Sequence, residues 1–392
     1  MEDHLIFQFI RCLYNYFGLS DESFVDHKYI YFEKEKFRHK GDISILKRPL
    51  SVKMESLNLL IKVSQEKWCF PLKDVNFSTD YVHLFLIKPV VFKETLLQVN
   101  QKGRVYGFHK TNKKICLQKD PNVQNSLTLL RIDLAFNLTK KLLLKLGYEV
   151  ATDDNEKCSN MFYFTNRSEI PMGYERIFVM GVEDGKKKCE FSSEEYYSLI
   201  SSEVRAMSNR MDTPTSTKNL VDTCVKFNLF HANVSSPARL TARGEMSHNT
   251  KDAIFVVYNY VRLKTIVKTY QAKVEENIYP SLPSIELTDF SLLSKGEEWG
   301  ILLDHIVRFP QLVAEFSSKL ESENKLHLHT LFTMLVVFSN QVSRYYRRVR
   351  ILTEPKPHLI QVMFARLYLI SACITIYEIL FECLDIIPPD SM

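Results

Sequence analysis

The spacing of apolar positions changes character twice along the chain. Over residues 1–105, helical and strand patterns mix. Leu5 to Phe17 carries apolar residues at helical spacing. The charged stretch Glu33 to Lys40 ends at Gly41-Asp42, which reads as a turn. Tyr81 to Ile87 is short and rich in strand formers, and Phe92 to Val99 is helical again. A second unit follows. Lys114 to Leu117 reads as a strand and Asp120-Pro121-Asn122 as a turn. Leu127 to Leu146 is a long amphipathic helix closed by Gly147, and Tyr148-Glu149-Val150 starts the next strand. Strand, helix, strand in that order predicts a βαβ unit.

Residues 151–250 are less regular. Asp153-Asp154-Asn155-Glu156 is a polar loop, Arg176 to Met180 a strand, Glu183-Asp184-Gly185 a turn. Met207 to Lys218, with Pro214, reads as an exposed linker. From 251 onward the pattern is all helix: Ala253–Lys273, Glu297–Arg308, Pro310–Leu320, Leu326–Val349 and Leu359–Leu384, joined by short polar connections as in a bundle. In the fourth, Leu331, Leu335, Phe338, Val342 and Val349 fall three to four and seven apart, one buried stripe. The last is very apolar, but Glu378 and Glu382 interrupt it, so it reads as a core helix and not a membrane span. The fold class is therefore α+β: a mixed α/β N-terminal half, then an all-α bundle. The expected domains are 1–105, 106–235 and 236–392.

Composition narrows the function classes. A chain of 392 residues needs more than one core. The net charge of +5 points only weakly to a polyanionic partner. None of the eight cysteines forms a CxxC pair or stands at ligand spacing from a histidine, so no structural zinc is expected. Scattered thiols fit the reduced setting of a cytosolic or nuclear protein, and a cytoplasmic one is expected. The N-terminal MEDHLIFQFIRCLYNYF lacks a basic lead and a cleavage site, so no secretory signal is expected. Asp153, Asp154 and Glu156 have no second carboxylate or histidine in view, and a solvated loop suits them better than acid–base or metal chemistry. No cofactor, metal, membrane or small-molecule substrate is expected.

One stretch stands out in charge. Arg344, Arg347, Arg348, Arg350, Lys356 and Arg366 face one acid, Glu354, with Tyr345, Tyr346 and His358 interleaved. Guanidinium groups clasp phosphates and aromatic faces stack unpaired bases, which is what a single-stranded RNA loop requires. Taken alone, the stretch reads as a solvated helix face, with Arg366 paired to a core acid and the tyrosines packed. Tyr258, Tyr260, Arg262 and Lys264 form a second group, in which Tyr258 and Arg262 share a helix face. Tyr258 as plain core is the competing reading. Lys186 to Lys188, and Lys102, Arg104, Lys110, Lys113 and Lys114, are further basic clusters that read as solvated loops.

A string of motifs then changes the weighting. Phe255-Val-Val-Tyr258-Asn-Tyr260-Val-Arg262, Arg308-Phe-Pro-Gln-Leu-Val313, Phe338 to Tyr346, Ile351 to Leu369 with Ala365-Arg366-Leu367, and the tail Ile387-Pro388-Pro389-Asp390-Ser391-Met392 stand in order over about 140 residues. This region resembles the DALR anticodon-binding domain of arginyl-tRNA synthetases. With less force, Asn76 to Leu97 resembles that family's N-terminal added domain. Asp120 to Val150 resembles the region of its HxGH signature, and Val182 to Ser193 its second signature loop. The HxGH positions hold Ser126, Leu127, Thr128 and Leu129, and the second loop holds Cys189, Glu190 and Phe191. Imidazoles stabilise phosphate charge as an adenylate forms, and these residues do not.

The resemblance therefore implies a degenerate, truncated synthetase-like core and a non-catalytic tRNA-binding protein. More narrowly, Asp289-Phe-Ser-Leu-Leu293, Gly296-Glu-Glu-Trp299 and Tyr345 to Leu367 resemble a synthetase-derived, non-catalytic branch. That branch implies a subunit that holds an arginine tRNA for a partner methyltransferase, which forms 3-methylcytidine in the anticodon loop. On the resemblance, Arg344, Tyr345, Tyr346, Arg347, Arg348, Arg350, Lys356, His358, Arg366, Tyr258, Tyr260, Arg262, Lys264 and Met392 are the expected RNA contacts. Two rival readings stay open: a truncated arginyl-tRNA synthetase-like enzyme, and a protein-interaction scaffold without RNA contact.

Overall fold

The computed structural model describes residues 3–19, 29–48, 50, 57–123, 126–152, 158–184, 187–189, 191–207, 214–240 and 247–390. The first part runs α1 (Leu5–Phe17), β1 (Ile30–Phe32), β2 (Ile43–Leu46), α2 (Leu57–Lys67), β3 (Leu72–Phe77), β4 (Tyr81–Leu86) and α3 (Lys88–Lys102). Then come β5 (Lys114–Lys119), α4 (Ser126–Lys145), β6 (Glu149–Ala151), β7 (Asn160–Thr165), β8 (Glu175–Phe178), β9 (Val182–Asp184) and β10 (Lys187–Lys188). After α5 (Ser193–Met207), α6 (Pro214–Phe230) and β11 (Ala238–Leu240), the chain is helical: α7 (His248–Glu275), α8 (Gly296–Gly300), a π-helical turn Ile301–Val307, α9 (Phe309–Glu323), α10 (Leu328–Arg348) and α11 (Pro357–Cys383). The α+β expectation is met, and the five C-terminal helices fall where the apolar spacing puts them. All eight cysteines are free thiols.

The chain packs as two compact units. One gathers residues 1–107, 266–315 and 341–376. Its sheet is antiparallel in the order β1-β2-β4-β3. One face alternates inward with Ile43, Ile45, Val82, Leu84 and Leu86, all buried, because side chains two apart share a face. Beside it, α1 buries Phe9, Ile10, Leu13 and Phe17. Gly41-Asp42 is not a chain reversal but the lead into β2. Asp42 is a buried carboxylate that accepts the Leu86 amide at 2.9 Å and the Trp299 indole N–H at 2.8 Å. A buried charge needs such donors, and that requirement outweighed the turn propensity of the pair.

In the same unit His305 is buried, and burial pushes its imidazole down to about 4 against the coulombic pull of Asp304. The unfolded chain takes up the proton near the ordinary histidine value while the fold refuses it. Stability is therefore present above about pH 6.5 and is lost as pH falls toward 4, by at most about 3 kcal/mol. Urea midpoints measured between pH 7 and pH 4 should fall in the wild type, and should fall less in a His305→Gln variant.

The other unit gathers residues 108–265, 316–340 and 377–392. Its four-stranded sheet is parallel, in the order β6-β5-β7-β8. β5 and β6 pair in parallel through α4, which is the predicted βαβ unit. Gly147 closes α4 at φ 84°. Its amide bonds to Leu144 at 3.1 Å, and the Tyr148 amide bonds to Leu143 at 3.0 Å, the paired closure that glycine permits. A Cβ there would lie 2.9 Å from the Lys110 Cα. The irregular stretch holds two full helices, α5 and α6, of 15 and 17 residues, that the apolar spacing does not show, and Pro214 to Lys218 is the start of α6, not a linker. Proline suits a first helical turn, whose amide has no intrahelical acceptor. Asp153, Asp154, Glu156, Gly185 and Lys186 lie outside the described residues.

In this unit Arg131 is a fully buried guanidinium, with no carboxylate against it among the described residues. It donates to the carbonyls of Leu229 (2.9 Å), Met180 (2.7 Å), Ser236 (2.8 Å) and Asn233 (3.2 Å). Burial lowers its pKa to about 10, and it remains charged. It ties α4 to the chain around β9 and after α6. Arg131→Met leaves four carbonyls without a donor and should cost about 3 kcal/mol or more, read as a lower urea midpoint.

Candidate nucleic-acid interface

The basic stretch occupies a helix end, a loop and a helix start. Arg347 and Arg348 close α10, where the helix dipole favours cations. Val349, Ile351 and Thr353 are buried and anchor the loop, and Pro357 opens α11. The alternation leaves Arg348, Arg350, Glu354, Lys356 and His358 on the surface.

Beneath the loop lies Glu298, a carboxylate with no exposure. One oxygen accepts the Tyr345 hydroxyl at 3.2 Å and Arg366 Nε at 3.0 Å; the other accepts the Lys295 amide at 2.9 Å. Arg366 also donates from Nη1 to the Arg350 carbonyl at 3.1 Å. Arg366 is thus a strut between a buried acid and the loop. Tyr345 belongs to the core, and burial together with Glu298 holds its hydroxyl well above the ordinary range. Tyr345 presents no group to a ligand, whereas Arg366 is half-buried and keeps an edge on the surface beside the loop.

The exposed cations differ in their counter-charges. Arg348 pairs with Glu297 at 2.5 Å, Arg344 with Glu35 at 3.1 Å and Lys356 with Glu354 at 2.7 Å. The Arg348 hydrogen bond holds the Glu297 carboxyl below its usual range. Arg347 and Arg350 pair with no carboxylate among the described residues: Arg347 Nε donates to the Ser343 carbonyl at 3.3 Å and Arg350 Nε to that of Leu352 at 3.1 Å. Two open concavities flank the ridge Arg348-Val349-Arg350. One, of about 480 Å³, has Ile266, Tyr346, Ile351 and Leu352 with Arg347 and Arg348. The other, of about 420 Å³, gathers Lys295, Arg348, Arg350, Lys356 and Arg366 against Glu354. Both combine apolar surface with cations; Val349 and Leu359 also line the second, which carries more charged side chains. Lys295, Glu297 and Glu298 carried no basic or aromatic pattern and were missed in the sequence.

Tyr258, Tyr260, Arg262 and Lys264 lie in the other unit. Tyr260 is buried and its hydroxyl donates to Glu378 at 3.1 Å; Lys264 lies 3.5 Å from the same oxygen. Tyr258 is exposed, and Arg262 bonds its hydroxyl at 2.5 Å with the guanidinium 5.7 Å from its ring centre, so this pair does share a face. Met392 lies outside the described residues.

At the HxGH-like positions, Ser126 to Leu129 form the first turn of α4, with Leu127 and Thr128 buried. The loop before it is held by Asp120, which accepts the Asn122 amide at 2.9 Å and the Thr165 hydroxyl at 2.8 Å. Burial opposes the Asp120 charge, and these bonds with Arg167 outweigh it, leaving the carboxyl below its usual range. Cys189 is buried, Phe191 half-buried, and Glu190 lies outside the described residues. No three His, Cys, Asp or Glu side chains gather as a metal site among the described residues.

A parallel sheet crossed by a long helix, an antiparallel sheet module and a helical C-terminal region make an arginyl-tRNA synthetase-like fold. It superimposes on the arginyl-tRNA synthetase of Thermus thermophilus with a TM-score of 0.64 at 10% identity, covering 90% of this chain and 94% of that one. Residues 256–392 match the family described as the DALR anticodon binding domain. Among curated proteins, the chain is similar to DALR anticodon-binding domain-containing protein 3 of Danio rerio, at 33% identity over 172 residues, and to that of Rattus norvegicus, at 41% over 127 residues. These matches cover 42% and 31% of this chain but only 31% and 23% of the relatives' own length.

Proposed function

We propose that the chain is a non-catalytic tRNA-binding protein that recognises arginine tRNA and presents it to a partner methyltransferase, which forms 3-methylcytidine in the anticodon loop. The observation that carries the RNA reading is the ridge Arg348-Val349-Arg350 inside the matched anticodon-binding domain. It has a concavity on either side and two guanidinium groups, on Arg347 and Arg350, with no acid partner among the described residues. Such groups meet a phosphate without first giving up a counter-ion. The half-buried Tyr346 and the apolar wall at Ile266 and Leu352 line the larger concavity and suit an unstacked base. The non-catalytic reading is supported by leucine and threonine at the buried first turn of α4, and by a carboxylate, Asp120, in the loop ahead of it, which repels phosphate. The catalyst is then a second chain, and the setting is cytoplasmic.

Filter binding of arginine tRNA across salt tests the RNA reading. With four or five phosphates met on single-stranded RNA, affinity should fall with a log–log slope of about −3 to −4. Salt-independent binding, or none, sinks it. The finer reading is tested by adding the chain to a methyltransferase with arginine tRNA and counting 3-methylcytidine by mass spectrometry. Arginine-dependent ATP–pyrophosphate exchange would overturn the non-catalytic reading.

A further inference from the structure

Between α7 and α8 the chain carries a surface of opposite character. Residues 275–289 contain Glu275, Glu276, Glu286 and Asp289 and no Lys, Arg or His, in a protein of net charge +5. Three aliphatic side chains stand out along this loop: Ile278 is 43% exposed, Leu282 36% and Leu287 79%.

The loop has no helix longer than three residues, yet it is firmly held within its unit. Asn277, at φ 57°, turns the chain out of α7. Tyr270 donates its hydroxyl to the Pro280 carbonyl at 2.8 Å, Tyr368 to that of Pro283 at 2.6 Å, and Tyr279 to that of Thr353. Lys93 donates to the Glu286 carbonyl at 3.2 Å, and Lys273 lies over the Tyr279 ring. Tyr279, Ile285 and Phe290 are buried as anchors. A long ordered loop that is pinned while its aliphatic residues face water is a displayed surface, not a slack connection. Its entropy is already lost before any partner arrives.

We infer that this loop is a docking surface for a protein partner, and that the partner's segment is amphipathic, with aliphatic side chains flanked by Lys or Arg. Charge complementarity selects that occupant: four carboxylates repel an RNA backbone and an acidic peptide alike, and attract a basic one. The inference does not depend on the RNA reading, which concerns residues of the opposite charge.

The test uses the full chain and three labelled synthetic peptides of about 15 residues: alternating Leu and Lys in an amphipathic pattern, the same with Glu for Lys, and the same with Ser for Leu. Fluorescence anisotropy should show binding of the Leu/Lys peptide, at least tenfold weaker binding of each other peptide, and at least tenfold loss with Leu287→Ser or with Glu275→Lys and Glu276→Lys together. Met172→Ser, at a 99% exposed aliphatic site in the other unit, should change nothing. Unchanged melting of Leu287→Ser keeps folding out of the result. Equal binding of the Leu/Glu peptide overturns the inference, as does a Leu287→Ser variant that binds as the wild type does. Dimerisation in sedimentation that Leu287→Ser abolishes would instead make the occupant a second copy, and RNA crosslinking to a photoreactive group at Leu287 would make it nucleic acid; either result also overturns it. Filter binding of tRNA to Leu287→Ser should match the wild type, so a failure here and a failure of the RNA reading are told apart.

Discussion

Arg347→Glu with Arg350→Glu should lower tRNA affinity by about 100-fold or more, equivalent to roughly 3 kcal/mol, and should reduce the salt slope by about 1 to 2. The size follows from the state of these two groups. Neither has a carboxylate partner among the described residues, so both contribute their full charge to a phosphate. Reversal removes that attraction and adds repulsion. Arg344→Glu with Arg348→Glu makes the same formal change, but those guanidinium groups already lie against Glu35 and Glu297. Part of their charge is spent, and the expected loss is nearer tenfold. Glu354→Gln should act the other way and tighten binding a few-fold, because it frees Lys356 beside the smaller concavity. The order of the three results matters as much as their size. If both double variants lose affinity equally, the unpaired state of Arg347 and Arg350 is irrelevant. If the first double variant binds as the wild type does, the surface lies elsewhere.

The sequence pattern carried the helices of the C-terminal half to within about five residues, though not the π-helical segment Ile301–Val307, because each buries a stripe with a regular period, as Leu331, Leu335, Phe338 and Val342 do in α10. The βαβ unit was legible for the same reason, with Gly147 as an independent marker of the helix end. The sheet order was not, since pairing of β5 with β7 rests on contacts some forty residues apart that no local pattern encodes. Within the basic stretch, spacing showed that arginines cluster but not which are free. Arg366 and Arg350 look alike in sequence, yet one is a strut on a buried acid and the other reaches solvent. The difference is made by Glu298, which lies 68 residues from Arg366 and carries no signal of its own. The acidic loop at 275–289 was equally readable as composition, but it is held by its own Tyr279 and by tyrosines on two other segments, Tyr270 and Tyr368.

Glu298→Ala should be the most damaging single substitution near the candidate interface, lowering stability by about 3–5 kcal/mol. The carboxylate is fully buried and satisfies three donors at once: Tyr345, Arg366 and the Lys295 amide. Alanine leaves a nearly buried guanidinium without its counter-charge and a buried hydroxyl without an acceptor, and both must be desolvated for nothing. Glu298→Gln keeps the shape and an acceptor oxygen and should cost about 1–2 kcal/mol. Trp299 adjoins the site and is buried, so its fluorescence in a Trp68→Phe background follows urea unfolding of this unit directly. The consequence for binding is separable. Glu298 touches no solvent, but through Arg366 it holds the Arg350 carbonyl, and with it the loop that displays Arg350. Replacing the three side chains by apolar residues of similar size, Glu298→Leu, Arg366→Met and Tyr345→Phe, removes the unpaired guanidinium and hydroxyl, leaves only the Lys295 amide without its acceptor, and should restore much of the stability. It should not restore tRNA affinity, because the strut to Arg350 is gone. A triple variant that is stable and binds tRNA like the wild type would show that the buried acid serves packing alone.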